Sequence, residues 1–270
     1  NIGLEGMMLF GAFAAAVAAY YTGNPFIGMA AGMIAGGLLA LIHGVISITF
    51  RGDQIVSGVA INLFAGGFTV FMLRVLFNQS GNSPVVTKMP VVPLSFSVND
   101  TTVSFDFSVI VYIIYILVIL SHFFIYRTKA GLRMRAVGEH PLAADTVGIN
   151  VYRVRYFGTV MSGVLAGLAG SYLSIGALSQ FTKGMSSGRG FIALAAMIFG
   201  KWTPLGALGA SLLFGFFDAL QIVGQQNLKF LPTQFIQMWP YLLTLLALAG
   251  VVGRAVAPSA DGVPYNKQNE

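Results

Sequence analysis

The stretch that decides the fold is residues 127–155, RTKAGLRMRAVGEHPLAADTVGINVYRVR. It holds six of the fifteen Lys and Arg residues of the chain, which are Arg127, Lys129, Arg133, Arg135, Arg153 and Arg155. Apolar runs of spanning length lie on both sides of it, at 108–126 and 156–178. Short loops rich in Lys and Arg stay on the cytoplasmic side of a membrane, because these charges resist translocation. The stretch therefore predicts a membrane protein with this loop in the cytoplasm.

The basic loop carries the signals of one short helix. Pro141 suits the first helical position, where the N–H that proline lacks would have no partner. Gly148 suits the left-handed position just past the helix end. Leu142, Ala143 and Ala144 lie between them and offer a small apolar face. Two helical turns reach only about 12 Å, so this helix cannot cross a membrane and is predicted to dock into a groove on a partner.

The composition places most of the chain inside a membrane. Of its 270 residues, 56% are hydrophobic and 9% are charged, whereas soluble domains carry about 25% charged residues. Long apolar runs predict helices, so the predicted fold is an all-α integral membrane protein. The absence of cysteine excludes disulfides and thiolate metal sites. The net charge of +6 is concentrated on one side of the membrane, which argues against a nucleic-acid partner.

The apolar runs predict a polytopic helical bundle of about eight membrane segments. They lie at residues 1–22, 26–49, 54–77, 108–126, 156–178, 191–200, 205–223 and 235–252. The run at 191–200 has about half the length needed to cross a bilayer, so it is predicted to be a half-helix. An even number of segments places both ends of the sequence on one side, which the basic loop identifies as the cytoplasm.

The polar parts of the chain complete this organisation. Residues 1–254 are predicted to form one transmembrane domain, with an external loop at 78–107 and the cytoplasmic loop at 127–155. Alternating side chains at 98–109 predict a short β-hairpin within or beside the external loop. Residues 255–270 are predicted to be a frayed cytoplasmic tail.

Polar side chains inside the predicted spans mark candidate functional positions. Glu5 lies near the edge of the first span, Asn62 near the middle of the third, and Asp218 in the outer half of a later one. A polar group in lipid needs a partner or a watery cavity. Glu5 is predicted either to line a path or to meet headgroups at the interface. Asn62 is predicted either to line a path or to join helices.

Two rows of glycines predict close packing between helices. They are Gly28, Gly32 and Gly36 in the second span, and Gly163, Gly167 and Gly170 in the fifth. His43, near the inner end of the second span, is predicted to be packed or hydrogen-bonded rather than catalytic.

Motifs for catalysis are missing from the sequence. It has no GxxxxGK(S/T) phosphate-binding loop, no HExxH motif and no Ser-His-Asp set, so it predicts neither catalytic residues nor a metal site. A proton-coupled carrier needs several carboxylates in the middle of the membrane, and only Glu5 and Asp218 are candidates. A channel needs a filter motif or a ring of charges, and neither is evident.

Four motifs of the basic loop resemble the ABC-importer permeases. They are Gly131-Leu132-Arg133, Ala136-Val137-Gly138-Glu139, Ala143-Ala144 and Gly148-Ile149-Asn150-Val151. The group that they resemble is the family for ribose, branched-chain amino acids and nucleosides. In that family this loop carries a coupling helix that seats in a cleft of the ATPase subunit. The resemblance implies ATPase-coupling roles for Glu139, Pro141, Leu142, Ala143, Ala144 and Gly148.

The opening hexapeptide, Asn1-Ile2-Gly3-Leu4-Glu5-Gly6, resembles the signature that nucleoside-type permeases carry at a break between helices. Sugar-type relatives usually have Gly-Ile-Asp-Leu there. The resemblance implies transport of a neutral polar solute, with nucleosides as the expected substrate. The candidate residues of the translocation path are Asn1, Glu5, Asn62 and Asp218. A monosaccharide permease of the same family and a stand-alone secondary carrier are the alternatives.

The resemblance also implies partners and a location. The partners are a second permease subunit that is a different, paralogous chain, an ABC ATPase that binds the ATP, and an extracellular substrate-binding lipoprotein. No cofactor is expected in this chain itself. The implied location is the bacterial inner membrane, which the protein crosses several times. Members of the family usually have one or two further helices upstream, and these are expected before Asn1.

Overall fold

The computed structural model describes residues 1–98, 101–227, 235, 238 and 255–267. Its helices are α1 (Leu4–Thr22), α2 (Pro25–Gly44), α3 (Gln54–Phe77), α4 (Val109–Arg127), α5 (Lys129–Glu139), α6 (Pro141–Thr146), α7 (Val151–Ser171), α8 (Arg189–Phe199) and α9 (Pro204–Asn227). Its strands are β1 (Val91–Val98) and β2 (Thr101–Ser108). π-Helical turns extend α2 over Val45–Thr49 and α7 over Tyr172–Leu178.

Six helices in the described part of the chain are long and apolar enough to cross a membrane. They lie within Leu4–Thr22, Pro25–Thr49, Gln54–Phe77, Val109–Arg127, Val151–Leu178 and Pro204–Gln225. Helix α8 has only 11 residues, as expected for the half-length segment. The predicted last segment, 235–252, falls almost entirely outside the described residues. The prediction of a polytopic helical membrane protein is confirmed.

Close contact among α1, α2 and α7 forms the centre of the bundle. Gly36 of α2 lies against Gly163 and Gly167 of α7, and Gly32 of α2 lies against Gly11 of α1. A Cβ added at Gly167 would overlap the carbonyl oxygen of Gly32, so the two backbones touch. Such contacts hold helices together in lipid, where no hydrophobic driving force acts between them. The predicted close packing of the glycine rows is confirmed.

Residues 78–90 close the end of the bundle opposite the basic loop. The main-chain N–H of Ser83 donates to the Phe181 carbonyl at 2.8 Å, and the Phe181 N–H donates to Ser83 Oγ at 2.9 Å. The N–H of Met89 donates to the Ile175 carbonyl at 2.8 Å. This part of the predicted external loop is therefore tied to the chain that follows α7.

A β-hairpin completes the same end of the molecule. Strand β1 pairs with β2 in antiparallel register, from Val91 opposite Ser108 to Val98 opposite Thr101. The predicted hairpin is confirmed, but it starts earlier than the alternation at 98–109 indicated. The first strand was not predicted because it contains Pro93, and proline within a sheet is confined to edge strands, strand starts and bulges. A two-stranded sheet consists entirely of edge strands, so Pro93 fits.

The basic loop folds into two helices, of which the sequence predicted one. Helix α6 begins with Pro141 as predicted, and Gly148 after it has a φ of +81°. Helix α5 was not predicted. It begins after Thr128, whose Oγ1 accepts a hydrogen bond from the Gly131 N–H at 3.1 Å. A Cβ at Gly131 would overlap the carbonyl oxygen of Phe124, so the tight turn from α4 into α5 requires glycine there.

The described end of the chain, residues 255–267, returns to the basic loop. Its Tyr265 is buried together with Val137 of α5, Ala144 of α6 and Val151 of α7. The prediction of a frayed tail is wrong for these residues, because an aromatic side chain near the end packs into the helices of the loop. The tail and the basic loop therefore lie at the same end of the bundle.

Candidate functional site

Three of the four predicted path residues meet where α1 begins within the bundle. We call this place the junction; its residues are Asn1, Glu5, Asn62, Gly188 and Gly190. Helix α1 starts at Leu4, beside turns in the middle of α3 and α7 rather than beside the ends of these helices. The first N–H groups of a helix have no partner within it, and unpaired groups in an apolar interior cost several kcal/mol. Polar side chains at this position are therefore expected to serve as caps.

Asn62 closes the start of α1 from the side of α3. Its Oδ1 accepts a hydrogen bond from the Gly6 N–H at 2.7 Å, and its Nδ2 donates to the Ile2 carbonyl at 3.1 Å. A Cβ at Gly6 would press on the main chain of Asn62, so the approach requires glycine. These contacts favour the helix-joining alternative for Asn62. Its membership of a path stays a prediction.

Glu5 connects the start of α1 to the start of the half-helix α8. Its Oε1 accepts from the Gly188 N–H at 2.8 Å, and its Oε2 accepts from the Gly190 N–H at 2.7 Å. A carboxylate is favoured there because a helix N-terminus carries a partial positive charge. Gly188 has a φ of +83°, and a Cβ at Gly190 would overlap the backbone of Glu5. Both oxygens of Glu5 bind main-chain N–H groups, which gives Glu5 a capping role, and its membership of a path stays a prediction.

Asn1 connects the start of α1 to α7. Its Nδ2 donates to Ser162 Oγ at 2.7 Å and contacts Met7 Sδ at 3.4 Å, and its Oδ1 accepts from the Gly3 N–H at 3.1 Å. Its contact with Ser162 lies partway along α7, and its membership of a path stays a prediction.

Asp218, the fourth predicted path residue, lies apart from the junction. It is exposed on α9 and lines a cleft of about 510 Å³ between α8 and α9. The residues lining the cleft are Arg189, Ile192, Ala193, Ala195, Phe199, Ser211, Phe214, Gly215, Asp218 and Gln221. Phe199 and Phe214 are in ring contact, with their centroids 5.4 Å apart. A mostly apolar cleft with a few convergent polar groups is the usual form of a small-molecule site.

Arg189 is the functional candidate that the sequence analysis missed. It is the first residue of α8, so it lies between Gly188 and Gly190, whose N–H groups bind Glu5. Its side chain lines the cleft that Asp218 also lines. Arg189 is not among the candidate residues that the sequence predicted. The signal that could have identified it is a charge between two glycines at the start of a half-helix.

His43 has the structural role that the sequence predicted. It is 2% exposed, and its Nδ1 lies 2.9 Å from Ser57 Oγ, which joins α2 to α3. Within the described residues, no group of three His, Asp or Glu side chains is placed to hold a metal ion.

Helix α6 presents a different apolar face from the one predicted. Leu142 is 49% exposed and Val147, just after the helix, is 74% exposed. Ala143 is exposed too, but Ala144 is 3% exposed and faces the chain itself. The expectation that Ala144 belongs to the outward face is therefore corrected. The surface open to a partner consists of Leu142, Ala143 and Val147.

The tail, residues 255–267, binds all three helices at this end. The Ala260 N–H donates to the Gly138 carbonyl at 2.9 Å. Ser259 Oγ donates to Glu139 Oε2 at 2.9 Å, so Glu139, a predicted coupling residue, binds within its own chain. Further along, Arg155 Nη1 donates to the Val263 carbonyl at 2.8 Å. Lys267 Nζ and Asp145 Oδ2 are 4.0 Å apart, at the limit of an ion pair.

Tyr265 is the buried anchor of the tail. It is 5% exposed, and its ring meets that of Tyr152 edge to face with centroids 5.3 Å apart. The Arg155 guanidinium lies 5.9 Å from the same ring. Burial raises the pKa of the Tyr265 phenol, and nearby Asp145 adds to the effect. Among the described residues, however, no group meets the distance and angle of a hydrogen bond to the phenol oxygen, so the ring rather than the hydroxyl holds the tail.

The buried ring outweighs the exposed contacts of the tail in energy. Burying a large apolar side chain contributes roughly 1.5–3 kcal/mol. An exposed ion pair such as Lys267–Asp145 contributes about 0–1 kcal/mol. Tyr265 is consequently the residue whose loss would release the tail.

Comparison with known proteins places the chain among transport permeases. The family model for "Branched-chain amino acid transport system / permease component" matches residues 1–257. The chain is 44% identical to the guanosine ABC transporter permease protein NupQ of Bacillus subtilis, over 99% of this chain and 88% of the relative. It is 39% identical to the nucleoside ABC transporter permease protein NupC of Lactococcus lactis, with the same two coverages.

A third relative has a different named solute. The chain is 33% identical to the putative glucose ABC transporter permease protein TsgC13 of Haloferax volcanii, over 99% of this chain and 89% of the relative. No solved structure matches the chain.

Proposed function

The chain belongs to the family of branched-chain amino acid transport system permease components, and we propose that it is the permease subunit of an ATP-driven importer of nucleosides. The observation that carries the proposal is near-full-length similarity to permeases named for guanosine and for nucleosides. The opening hexapeptide Asn1–Gly6 supports it, because it resembles the signature of nucleoside-type permeases. Residues of this hexapeptide also form the junction that joins α1, α3, α7 and α8.

The energy for transport comes from partner subunits in this proposal. The sequence has no phosphate-binding loop, so ATP is bound and hydrolysed by an ABC ATPase. The ATPase docks on the exposed face of α6, which consists of Leu142, Ala143 and Val147. A second, paralogous permease completes the pore, and an extracellular substrate-binding lipoprotein delivers the solute at the opposite end, near the β-hairpin. The protein is placed in the bacterial inner membrane with the basic loop and the tail in the cytoplasm.

The contacts of the described residues offer a route from the ATPase to the half-helix. Helix α6 is joined to α7 through Ala144 and Val151. Helix α7 is joined to the start of α1 by the Asn1–Ser162 hydrogen bond. Helix α1 is joined to α8 by the bonds from Gly188 and Gly190 to Glu5. A displacement of α6 would therefore move α8 and change the cleft between α8 and α9.

The chemistry of that cleft fits a neutral polar solute with an aromatic ring. Phe199 and Phe214 offer ring faces for a base, and Ser211, Asp218 and Gln221 offer hydrogen-bond partners for ribose or base edges. The junction residues Asn1, Glu5 and Asn62 already bind protein. In this proposal they position the helices that frame the path, and Asp218 contacts the solute.

The test is uptake by the purified complex in liposomes. This chain would be reconstituted with its partner permease and ATPase, with ATP enclosed and the binding protein outside, and offered labelled guanosine, ribose or glucose. Guanosine uptake that requires ATP is the expected result. Continued uptake after removal of the ATPase would instead identify a stand-alone carrier.

A monosaccharide is the second candidate substrate. The specific observation in its favour is the 33% identity to a permease named for glucose. The same experiment separates the two candidates, because a sugar permease would take up ribose or glucose and leave guanosine outside.

A further inference from the structure

The tail supports the coupling region, by which we mean α5, α6 and the first two turns of α7. Helix α6 is only 6 residues long and meets α5 at the Glu139–His140–Pro141 bend. Its one buried side chain, Ala144, is too small to lock it in place. The tail adds the missing packing, because the ring of Tyr265 lies among Ala144, Val151 and Tyr152.

The tail also ties each helix of the coupling region to the next. It binds the end of α5 through Gly138 and Glu139, and the second turn of α7 through Arg155. Just after these two attachments, Tyr265 packs against Ala144, the buried residue of α6. A segment fixed to α5 and α7 on either side of α6 makes the three helices move as one body.

This arrangement matters because α7 is part of the glycine-packed centre of the bundle. Gly163 and Gly167 of α7 are in backbone contact with Gly36 and Gly32 of α2, so α7 cannot yield locally. A push on α6 reaches α7 only if the contact between them is stiff. Packed side chains and rigid elements are what carry such coupling between distant sites.

We propose that residues 255–267 form a strap that makes the push of the ATPase on α6 effective on α7, with Tyr265 as its positioning residue. The inference rests on the proposed function as an ATP-driven permease. It adds that energy coupling depends on the tail, which touches neither the solute nor, in this proposal, the ATP.

The test compares Tyr265→Ala with Tyr265→Phe in the reconstituted complex. The readout is the number of solute molecules taken up per ATP hydrolysed, measured with whichever solute the wild-type complex transports. We expect Tyr265→Ala to lower this ratio by about threefold or more while ATP hydrolysis by the assembled complex continues. Tyr265→Phe is expected to keep the wild-type ratio, because it keeps the buried ring and the phenol oxygen has no hydrogen-bond partner among the described residues.

A second pair of variants covers the case in which Tyr265→Ala fails to assemble. Arg155→Ala removes the bond to the Val263 carbonyl and loosens the strap from α7. Arg153→Ala is its matched control, since Arg153 is exposed on the same helix and makes none of the tail's hydrogen bonds given above. A lowered ratio in Arg155→Ala alone supports the strap.

Two outcomes separate the strap from the proposed function. A wild-type ratio in both Tyr265→Ala and Arg155→Ala would overturn the strap and leave the importer intact. If the wild-type complex carries only sugars, the nucleoside assignment falls, but the comparison of ratios still decides the strap. If the wild-type complex shows no uptake that depends on ATP, the importer and the strap fall together.

Discussion

The Gly190 N–H donates to the Glu5 carboxylate at 2.7 Å, which links the start of α1 to the start of α8. The same carboxylate accepts a second bond from Gly188, so one side chain caps the half-helix with both oxygens. The half-helix needs this cap because it starts inside the bundle, where its free N–H groups would otherwise be unpaired. The start of α1 and the start of α8 are thus held together by one carboxylate, so the position of α8 depends on that of α1.

Glu5→Gln tests this link. An amide offers one acceptor oxygen in place of two and removes the negative charge at the helix start. Hydrogen bonds to charged groups contribute about 1.5–3 kcal/mol each, so we expect a lower melting temperature and slower uptake by the complex. Glu139→Gln is the control for the melting temperature, because Glu139 is exposed and, within the described part of the chain, binds only Ser259 of the tail. Equal melting temperatures for the two variants would contradict the capping role.

The junction shows where sequence reasoning succeeded and where it stopped. Polar residues within apolar spans identified Glu5 and Asn62, and the resemblance of the opening hexapeptide added Asn1. Their partners could not be inferred, because Glu5 and Gly190 are 185 residues apart in sequence. The sequence does not show which side chain binds the free main-chain N–H groups at a helix start. A capping side chain in an apolar span therefore looks the same in the sequence as a side chain that lines a path.

The tail shows the opposite case. Residues 255–270 form a polar end of the sequence, which indicates a frayed tail. Local composition does not show that Tyr265 has a slot among Val137, Ala144 and Val151, since these residues come from three separate helices. The glycine rows were predictable for the converse reason: a four-residue spacing is local, and its consequence in lipid is general.

Gly167→Ala tests the glycine-packed centre. The added methyl would overlap the Gly32 carbonyl oxygen, and overpacking of this kind costs about 1–3 kcal/mol. We expect a lower melting temperature and less folded protein in membranes. Gly66→Ala in α3 is the matched control, since a Cβ there meets no atom within 4 Å. If both variants melt like the wild type, α2 and α7 are not in backbone contact.

Leu142→Arg and Ala144→Arg separate docking from folding at α6. Leu142 is 49% exposed, so an arginine there should leave the isolated chain folded and weaken binding of the ATPase. Ala144 is 3% exposed, so an arginine there should disrupt packing against Tyr265 and destabilise the chain itself. Co-purification of the ATPase and the melting temperature of the chain are the two measurements. Normal ATPase binding by Leu142→Arg would remove α6 from the docking surface.

Single cysteines test the orientation of the bundle. Val85 lies in the loop after α3 and is 74% exposed, whereas Leu132 in α5 is 59% exposed at the other end. In intact cells, we expect an impermeant maleimide to label Val85→Cys and to label Leu132→Cys only after lysis. The chain has no cysteine of its own, so it adds no background. Ser83 is unsuitable despite lying in the same loop, because it is 4% exposed. Reversed labelling would overturn the orientation.

Asn62→Leu and Asp218→Asn separate the frame of the path from its lining. Asn62→Leu removes the bonds to Gly6 and Ile2, and leaving these groups unpaired costs about 1–3 kcal/mol each. We expect a lower melting temperature and normal uptake per folded complex. Asp218 is exposed in the cleft, so Asp218→Asn should leave the melting temperature unchanged.

Uptake by Asp218→Asn is expected to fall by about tenfold, because a lost solute hydrogen bond of about 1.4 kcal/mol in the transition state has that effect on a rate. Both quantities would be measured on each purified complex. Slower uptake in Asn62→Leu at normal stability would return Asn62 to the path. Wild-type uptake in Asp218→Asn would remove the cleft between α8 and α9 from the path, since Asp218 is the one acidic side chain that lines the cleft among the described residues.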